Sequence, residues 1–281
     1  MFDDPPPDIP TPTRDDLRRE EAARERMGIL RGEFKRQMAY LVDCGLLDAA
    51  GLSEDAYKRR LLWPLDFALS RLYDGTNAPT WAEGNIPLLV VLTGHVVPLL
   101  KQITMRKPDR RAGSFDGRLA LDRIRTADDT SIRAVAYLAI DVDPGAHRQL
   151  PIKKPEEQGD IFEQPTPRNE AEALLKANRF PCTLEEGIAL DTHYGASLRE
   201  RWKNDMVCLP GTSHLRWFGS RENTYFETVV LEVEGYGSNP KASAFYTEFG
   251  LGTFSVNFGD IAFGVASCGQ RAFPDPYDHA A

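Results

Sequence analysis

The run Arg179–Gly195, RFPCTLEEGIALDTHYG, sets a thiol, three carboxylates and an imidazole close together in the chain. A thiol beside an imidazole is the pairing of a cysteine nucleophile, and an imidazole beside a carboxylate is a general acid–base pair. Spacing decides which of these the run can form. On one helix Cys182 and His193 lie roughly 16 Å apart, so they make no dyad. Asp191 and His193, two residues apart, point to different sides. Thr183-Leu-Glu-Glu186 matches a capping box, in which the hydroxyl and the carboxylate each satisfy an open backbone N–H, and Glu185 suits the helix dipole. Gly195 reads as a stop, and Ser197-Leu-Arg-Glu200 repeats the box and predicts a second short helix. His193 then falls in the last turn. There it is either a capping histidine or a general base or ligand whose partner comes from another segment.

Asp141 and Asp143, in DVDPG, offer that partner. A spacing of two sets both carboxylates on one face of a strand end, where they can share a proton or hold a cation. The same residues fit a strand running into an Asp-Pro turn. His95, just past the apolar run LLVVLT, lies where α/β sheets often place active residues. Cys268, in GVASCGQR, is a further weak signal. The catalytic candidates are therefore His193, Asp141 and Asp191, and the binding candidates His95, Asp143 and Cys268. A metal site from Asp141, Asp143 and His193 is the least favoured arrangement, and no metal ligand is assigned.

The chain has no GxGxxG, P-loop, GxSxG or HExxH pattern, which removes most support for nucleotide cofactors and for the commonest hydrolase and zinc-protease mechanisms. No cofactor is expected. With 34 basic and 42 acidic residues and a net charge of -8, a nucleic-acid partner or an anionic membrane surface is disfavoured. MFDDPPPDIPTPT lacks the basic and apolar regions of a secretory signal. The longest apolar run, IPLLVVLTGHVVPLL, is broken by Gly94, His95 and two prolines, so no membrane span is expected. Four separated cysteines without a CxxC pair read as reduced thiols of a cytoplasmic protein.

The elements that must position these groups follow from periodicity. Residues 1–13 are proline-rich with little to bury, and read as a flexible tail. Thr13 caps a long helix with Met27, Leu30, Phe34, Met38 and Leu41 as its stripe, ending at Gly45. Residues 14–26 of it are a charged arm. Ser53 opens a second helix, with Tyr57, Leu61, Leu65, Leu69 and Leu72 on one face and Pro64 as a kink. IPLLVVLTG and Arg133–Val142 are strands, the latter ended by Asp-Pro-Gly. Residues 144–168 read as a long loop, followed by a short helix NEAEALLKANR. Beyond the opening run, MVCLPG, HLRWFGS, FETVVLEVEGYG, ASAFYTEF and TFSVNFGDIAFGVASC have strand character. Helices first and strands last predict an α+β fold, with N-terminal helices (about 14–75) packed on a mixed, mainly antiparallel sheet (about 86–272) in one domain, 14–281.

EFKRQMAYLVDCGLLDAAGLSEDAYKRRL, IPLLVVLTGHVVPL, AYLAIDVDPG, FPCTLEEGIALDTH and FGVASCGQR occur in an order that resembles an actinobacterial family, domain of unknown function family 5701. The resemblance spans roughly residues 33 to 272. It implies a cytoplasmic protein and transfers no activity, cofactor or catalytic residue. Where the family shows Gly-Asn-Pro-His with tryptophans before its terminal Ser-Cys, this chain has NFGDIAFGVASC, which implies a less polar pocket. Two functions follow as expectations. One is a cytoplasmic small-molecule-binding protein, in one form a cofactor-independent enzyme of specialised metabolism using His193 in acid–base chemistry. Its pocket would lie between the sheet and the Thr183–Tyr194 helix. The other is a non-catalytic interaction protein acting through the N-terminal helix, which is also a possible homo-oligomer contact.

Overall fold

The computed structural model describes residues 12–105, 114–115, 124–126, 135–151, 167–201, 206–217, 224–232, 241–246 and 262–274. The expected tail, apart from Pro12 and Thr13, lies outside them. Helix α1 (Arg14–Asp43) begins at a complete capping box: Asp16 N donates to Thr13 Oγ1 at 3.2 Å and Thr13 N to Asp16 Oδ2 at 3.0 Å. Ala23, Met27, Leu30, Phe34, Met38 and Leu41 form its buried stripe. The helix stops where Gly45 takes φ 89°, a left-handed conformation that favours glycine. Helix α2 (Leu46–Ala50) follows.

Ser53 caps α3 (Glu54–Tyr57), which runs through a π-helical turn (Lys58–Leu62) into α4 (Trp63–Ser70). The π turn sits where the Pro64 ring would otherwise crowd the preceding turn, so the expected kink takes the form of one widened turn. Tyr57, Leu61, Leu65 and Leu69 are buried beneath it.

Among the described residues nine strands form one sheet: β1 (Ile86–Leu92), β2 (Ser114–Phe115), β3 (Ile124–Thr126), β4 (Ala136–Pro151), β5 (Phe180–Pro181), β6 (Met206–Trp217), β7 (Thr224–Glu232), β8 (Lys241–Tyr246) and β9 (Ala262–Ala272). Their order is β1-β4-β9-β6-β7-β8-β2, with β3 on β6 and β5 on β9. Only β2–β8 and β6–β9 pair in parallel. The α+β class and the mainly antiparallel sheet agree with the sequence reading. Helices α5 (Leu99–Thr104) and α6 (Pro167–Lys176) lie in connections, and α7 (Leu184–Arg201) is the long central helix.

Two cores flank the sheet. Leu88, Val90, Leu92, Leu138 and Ile140 pack against α1 to α4, and Leu89, Val91, Tyr137 and Ala139 pack with Leu184, Ile188 and Leu190 of α7. Helix α7 touches β1, β4, β6 and β7. Four strand spacings cover about 19 Å, which the roughly 27 Å length of α7 is enough to cross. From Glu186 to His193 every residue of α7 is buried. Gly187 is required on this face: a Cβ there would lie 2.4 Å from Leu209 Cδ1.

Three elements depart from the expected boundaries. Strand β4 continues through Asp143-Pro144-Gly145 to Pro151, because Asp143 and Pro144 pair with Ser267 and Ala266 of β9. The expected loop therefore starts later, and residues 152–166 lie outside the described ones. Helix α7 runs unbroken through Gly195 and Ser197, since a helix buried up to and including Gly195 tolerates a glycine that would end an exposed one. MVCLPG and HLRWFGS form one strand, β6, with an irregularity between Leu209 and Ser213.

Candidate functional site

Helix α7 runs antiparallel to β1. The Tyr194 hydroxyl approaches Leu88 O at 3.4 Å, and Ile188, Ala189, Thr192 and His193 line one cavity with Val90 and Leu92. Going back from Tyr194 to Glu185 covers about 13 Å of helix, the length of roughly four strand residues, which brings Glu185 level with Leu92. His95 follows three residues later and is exposed, while Glu185 is half-buried. The N-terminal turn of α7 and the C-terminal end of β1 thus set Glu185 within electrostatic reach of His95.

The electrostatics of this corner are unequal. Burial pushes the Glu185 carboxyl above its ordinary value of 4.5, and the neighbouring Glu186 charge pushes the same way. Hydrogen bonds from its own amide and from Thr183, and attraction to His95, oppose the shift without overcoming it. Glu186 has a different environment. It accepts from Thr183 N at 2.8 Å, as the capping box requires, and from Arg271 Nε at 2.6 Å and Nη2 at 2.9 Å. The Arg271 and Glu186 side chains are 4% and 0% exposed, so this is a buried bidentate ion pair. Of the two adjacent carboxyls, one is tied to an arginine and the other is pushed upward by burial.

Cys268 belongs to the same interior: its thiol points to Glu186 Oε1 at 3.8 Å and is wholly buried. Burial and the neighbouring Cys268 push the Cys182 thiol well up, so it stays protonated and is no nucleophile. Cys44, Cys182 and Cys268 are all buried free thiols.

His193 is placed otherwise than the sequence implied. Because α7 continues to Arg201, the histidine sits in the helix interior, 8% exposed. Its ring lies 6.0 Å from that of Tyr40. With Gln102 and Thr192 it lines a cavity of about 10 Å³, the room of one water. Asp191 is buried on the same helix. The inner face of α7 is filled by side chains where a pocket was expected.

Asp141 works as a clamp. It accepts from Ala82 N at 2.9 Å, Asn85 Nδ2 at 2.6 Å and Arg179 Nη1 at 2.5 Å, while Arg179 Nη2 donates to Asp141 O at 2.7 Å and Nε to Ser267 Oγ at 2.9 Å. Its φ of 55° is left-handed, which strains a non-glycine residue. The turn in the backbone shifts the side-chain alternation: Leu138 and Ile140 face α1, yet Val142 faces α7. Asp141 and Asp143 therefore do not form the paired face expected of a regular strand. Asp143 accepts from Gly145 N at 2.9 Å, a local bond of the kind Asp-Pro-Gly favours.

Val142 pairs with Ile86, at the start of β1, whereas His193 lies beside Val90 and Leu92, on the order of 10 Å further along. Asp141 and His193 are not brought together, and among the described residues no three metal-ligating side chains cluster. The residues that sequence reasoning passed over are Glu185, read only as a dipole charge, and Arg271, which reaches the adjacent Glu186 from β9. Two adjacent glutamates opening a helix were the available signal.

No protein-family model, curated protein or solved structure matches the chain. Among the described residues no helix is long and apolar enough to cross a membrane.

Proposed function

We propose that this chain is a cytoplasmic small-molecule-binding protein that carries out proton transfer without a cofactor, at the N-terminal end of α7 rather than at His193. One observation carries the reading: Glu185 keeps a raised pKa at a helix N-terminus, where the dipole favours a carboxylate, and it does so beside the exposed His95. A carboxyl whose pKa is raised, close to an imidazole, is suited to general acid–base work on a polar solute. The solute reaches the pair from solvent without crossing the core.

Native mass spectrometry of the freshly purified chain tests this. The expected result is a stoichiometric small molecule whose occupancy falls in Glu185→Gln and His95→Ala while both variants keep their thermal transition. A wild-type chain with nothing bound, or an occupancy that neither variant changes, sinks the reading.

A second reading, an interaction protein acting through the N-terminal helices and self-associating there, is favoured by the α1 arm. Arg14 to Arg19 are all exposed, Leu17 among them, and the buried stripe begins only at Ala23. Removing residues 1–19 should then abolish self-association or partner capture and leave the unfolding transition in place.

A further inference from the structure

The outer face of the helical layer carries a pattern that the core does not explain. Trp63 and Phe67 are one turn apart, 59% and 50% exposed, on a helix whose other face is packed. Arg59 precedes them and Arg71 follows at the same four-residue spacing, so the stripe reads Arg-Trp-Phe-Arg down one side of α3–α4. The Arg71 guanidinium stands 5.9 Å over the Phe67 ring. Arg60 is also exposed, and Asp55 and Asp66 flank the stripe, so three cations meet two anions there, in a chain whose net charge is -8. Exposed tryptophan and arginine at a shared face is the composition of an interaction hot spot, and aromatic rows of this kind accept proline-rich chains in the polyproline II conformation.

The occupant with complementary chemistry is in the same chain. Residues 2–12 read FDDPPPDIPTP: three carboxylates, five prolines and two large apolar side chains, without one basic residue. The geometry lets this segment reach. The Tyr57 hydroxyl meets Met38 O at 3.5 Å and Arg24 lies beside Tyr73, so α1 runs antiparallel to α3–α4. Phe67 then comes level with roughly Leu30, about 24 Å back from Arg14 at the helical rise. Eleven residues in polyproline II span about 34 Å.

We propose that the acidic proline-rich segment 2–12 docks in cis on the Arg59–Trp63–Phe67–Arg71 stripe. Its prolines lie on the two aromatic rings and its carboxylates meet the arginines. The segment is thereby an intramolecular cover for an interaction surface, a role independent of the chemistry at Glu185.

Hydroxyl-radical footprinting of the full-length chain reads this directly. In the wild-type chain at low salt, Trp63 and Phe67 should be modified several-fold more slowly than in the charge-reversed Asp3→Lys/Asp4→Lys/Asp8→Lys chain, and added salt should remove the difference. Leu100 and Leu175, comparably exposed elsewhere, serve as controls and should not change. Equal rates in the two chains overturn the proposal. Protection that grows with protein concentration overturns it as well, because it assigns the stripe to a second copy. An unchanged thermal transition in the charge-reversed chain separates loss of docking from loss of the fold.

Discussion

The Gln37 carboxamide pairs with the open edge of β1 as a neighbouring strand would: Val90 N donates to its Oε1 at 2.7 Å and its Nε2 donates to Leu88 O at 2.7 Å. Strand β1 ends the sheet order, so without Gln37 the Val90 N–H would lose its partner on this edge and Leu88 O would keep only the Tyr194 hydroxyl at 3.4 Å. Glu33, Arg36 and Tyr194 close over the same edge, with the Arg36 guanidinium 5.1 Å above the Tyr194 ring. Gln37→Leu should cost about 1–3 kcal/mol in urea unfolding, since the buried Val90 N–H loses its partner. A loss below about 1 kcal/mol would show that water replaces the carboxamide there.

The Glu186–Arg271 pair joins the start of α7 to β9, residues far apart in sequence and buried together. Removing one partner leaves a buried charge, so Arg271→Met is expected to lose about 3–5 kcal/mol. Glu186→Gln/Arg271→Met should lose less than the two single changes together. A double-mutant cycle on chemical denaturation gives the comparison, and strict additivity would show that the two side chains do not act as a pair.

Asp141 is predicted to be both an acid-sensitive and a sterically tight position. Burial alone would raise its carboxyl, but the bonds from Asn85, Ala82 and Arg179 outweigh it and hold the pKa below 3.8. A lowered folded-state value contributes stability that is present above pH 3.8 and is lost as pH falls through the folded pKa. Wild type should therefore exceed Asp141→Asn in stability at pH 6, with the gap narrowing on acidification below pH 3.8. Opposite it, Gly269→Ala would set a Cβ 2.8 Å from Asp141 Oδ2 and should cost about 1–3 kcal/mol by overpacking.

How much of this was legible in the sequence depends on the distance over which each feature is encoded. The capping boxes at Thr13 and Thr183 and the cap at Ser53 are three-residue signals, and all three form. The stripe of α1 and the apolar body of β1 follow from periodicity alone. The end of β4 did not, because Pro144 is kept in a strand by β9, which lies more than a hundred residues later. Gly195 did not end α7, because burial on several sides outweighs a local stop signal. The candidate site was hidden for the same reason. Asp141 looked like half of a carboxylate pair until Arg179 and Asn85 claimed it, and Glu185 looked like a dipole charge until the fold set it beside His95.

Glu185 provides the prediction that bears most directly on function. Its folded-state pKa is raised above 4.5. A raised value means that the native state prefers the protonated form, so the favourable contribution is complete below pH 4.5 and is lost as pH rises through the folded pKa. Ionising Glu185 in the native protein therefore costs stability. Glu185→Gln should raise the Tm at pH 7 and leave it unchanged at pH 4, the reverse of the pattern for Asp141→Asn. His95→Ala, by removing a positive neighbour, should move the Glu185 titration further upward, which carboxyl-carbon NMR can follow. A site that is less stable with its native residue than with a neutral isostere is keeping that residue for chemistry rather than for folding. If Glu185→Gln instead lowers the Tm at pH 7, the glutamate is a structural cap and the proton-transfer reading fails with it.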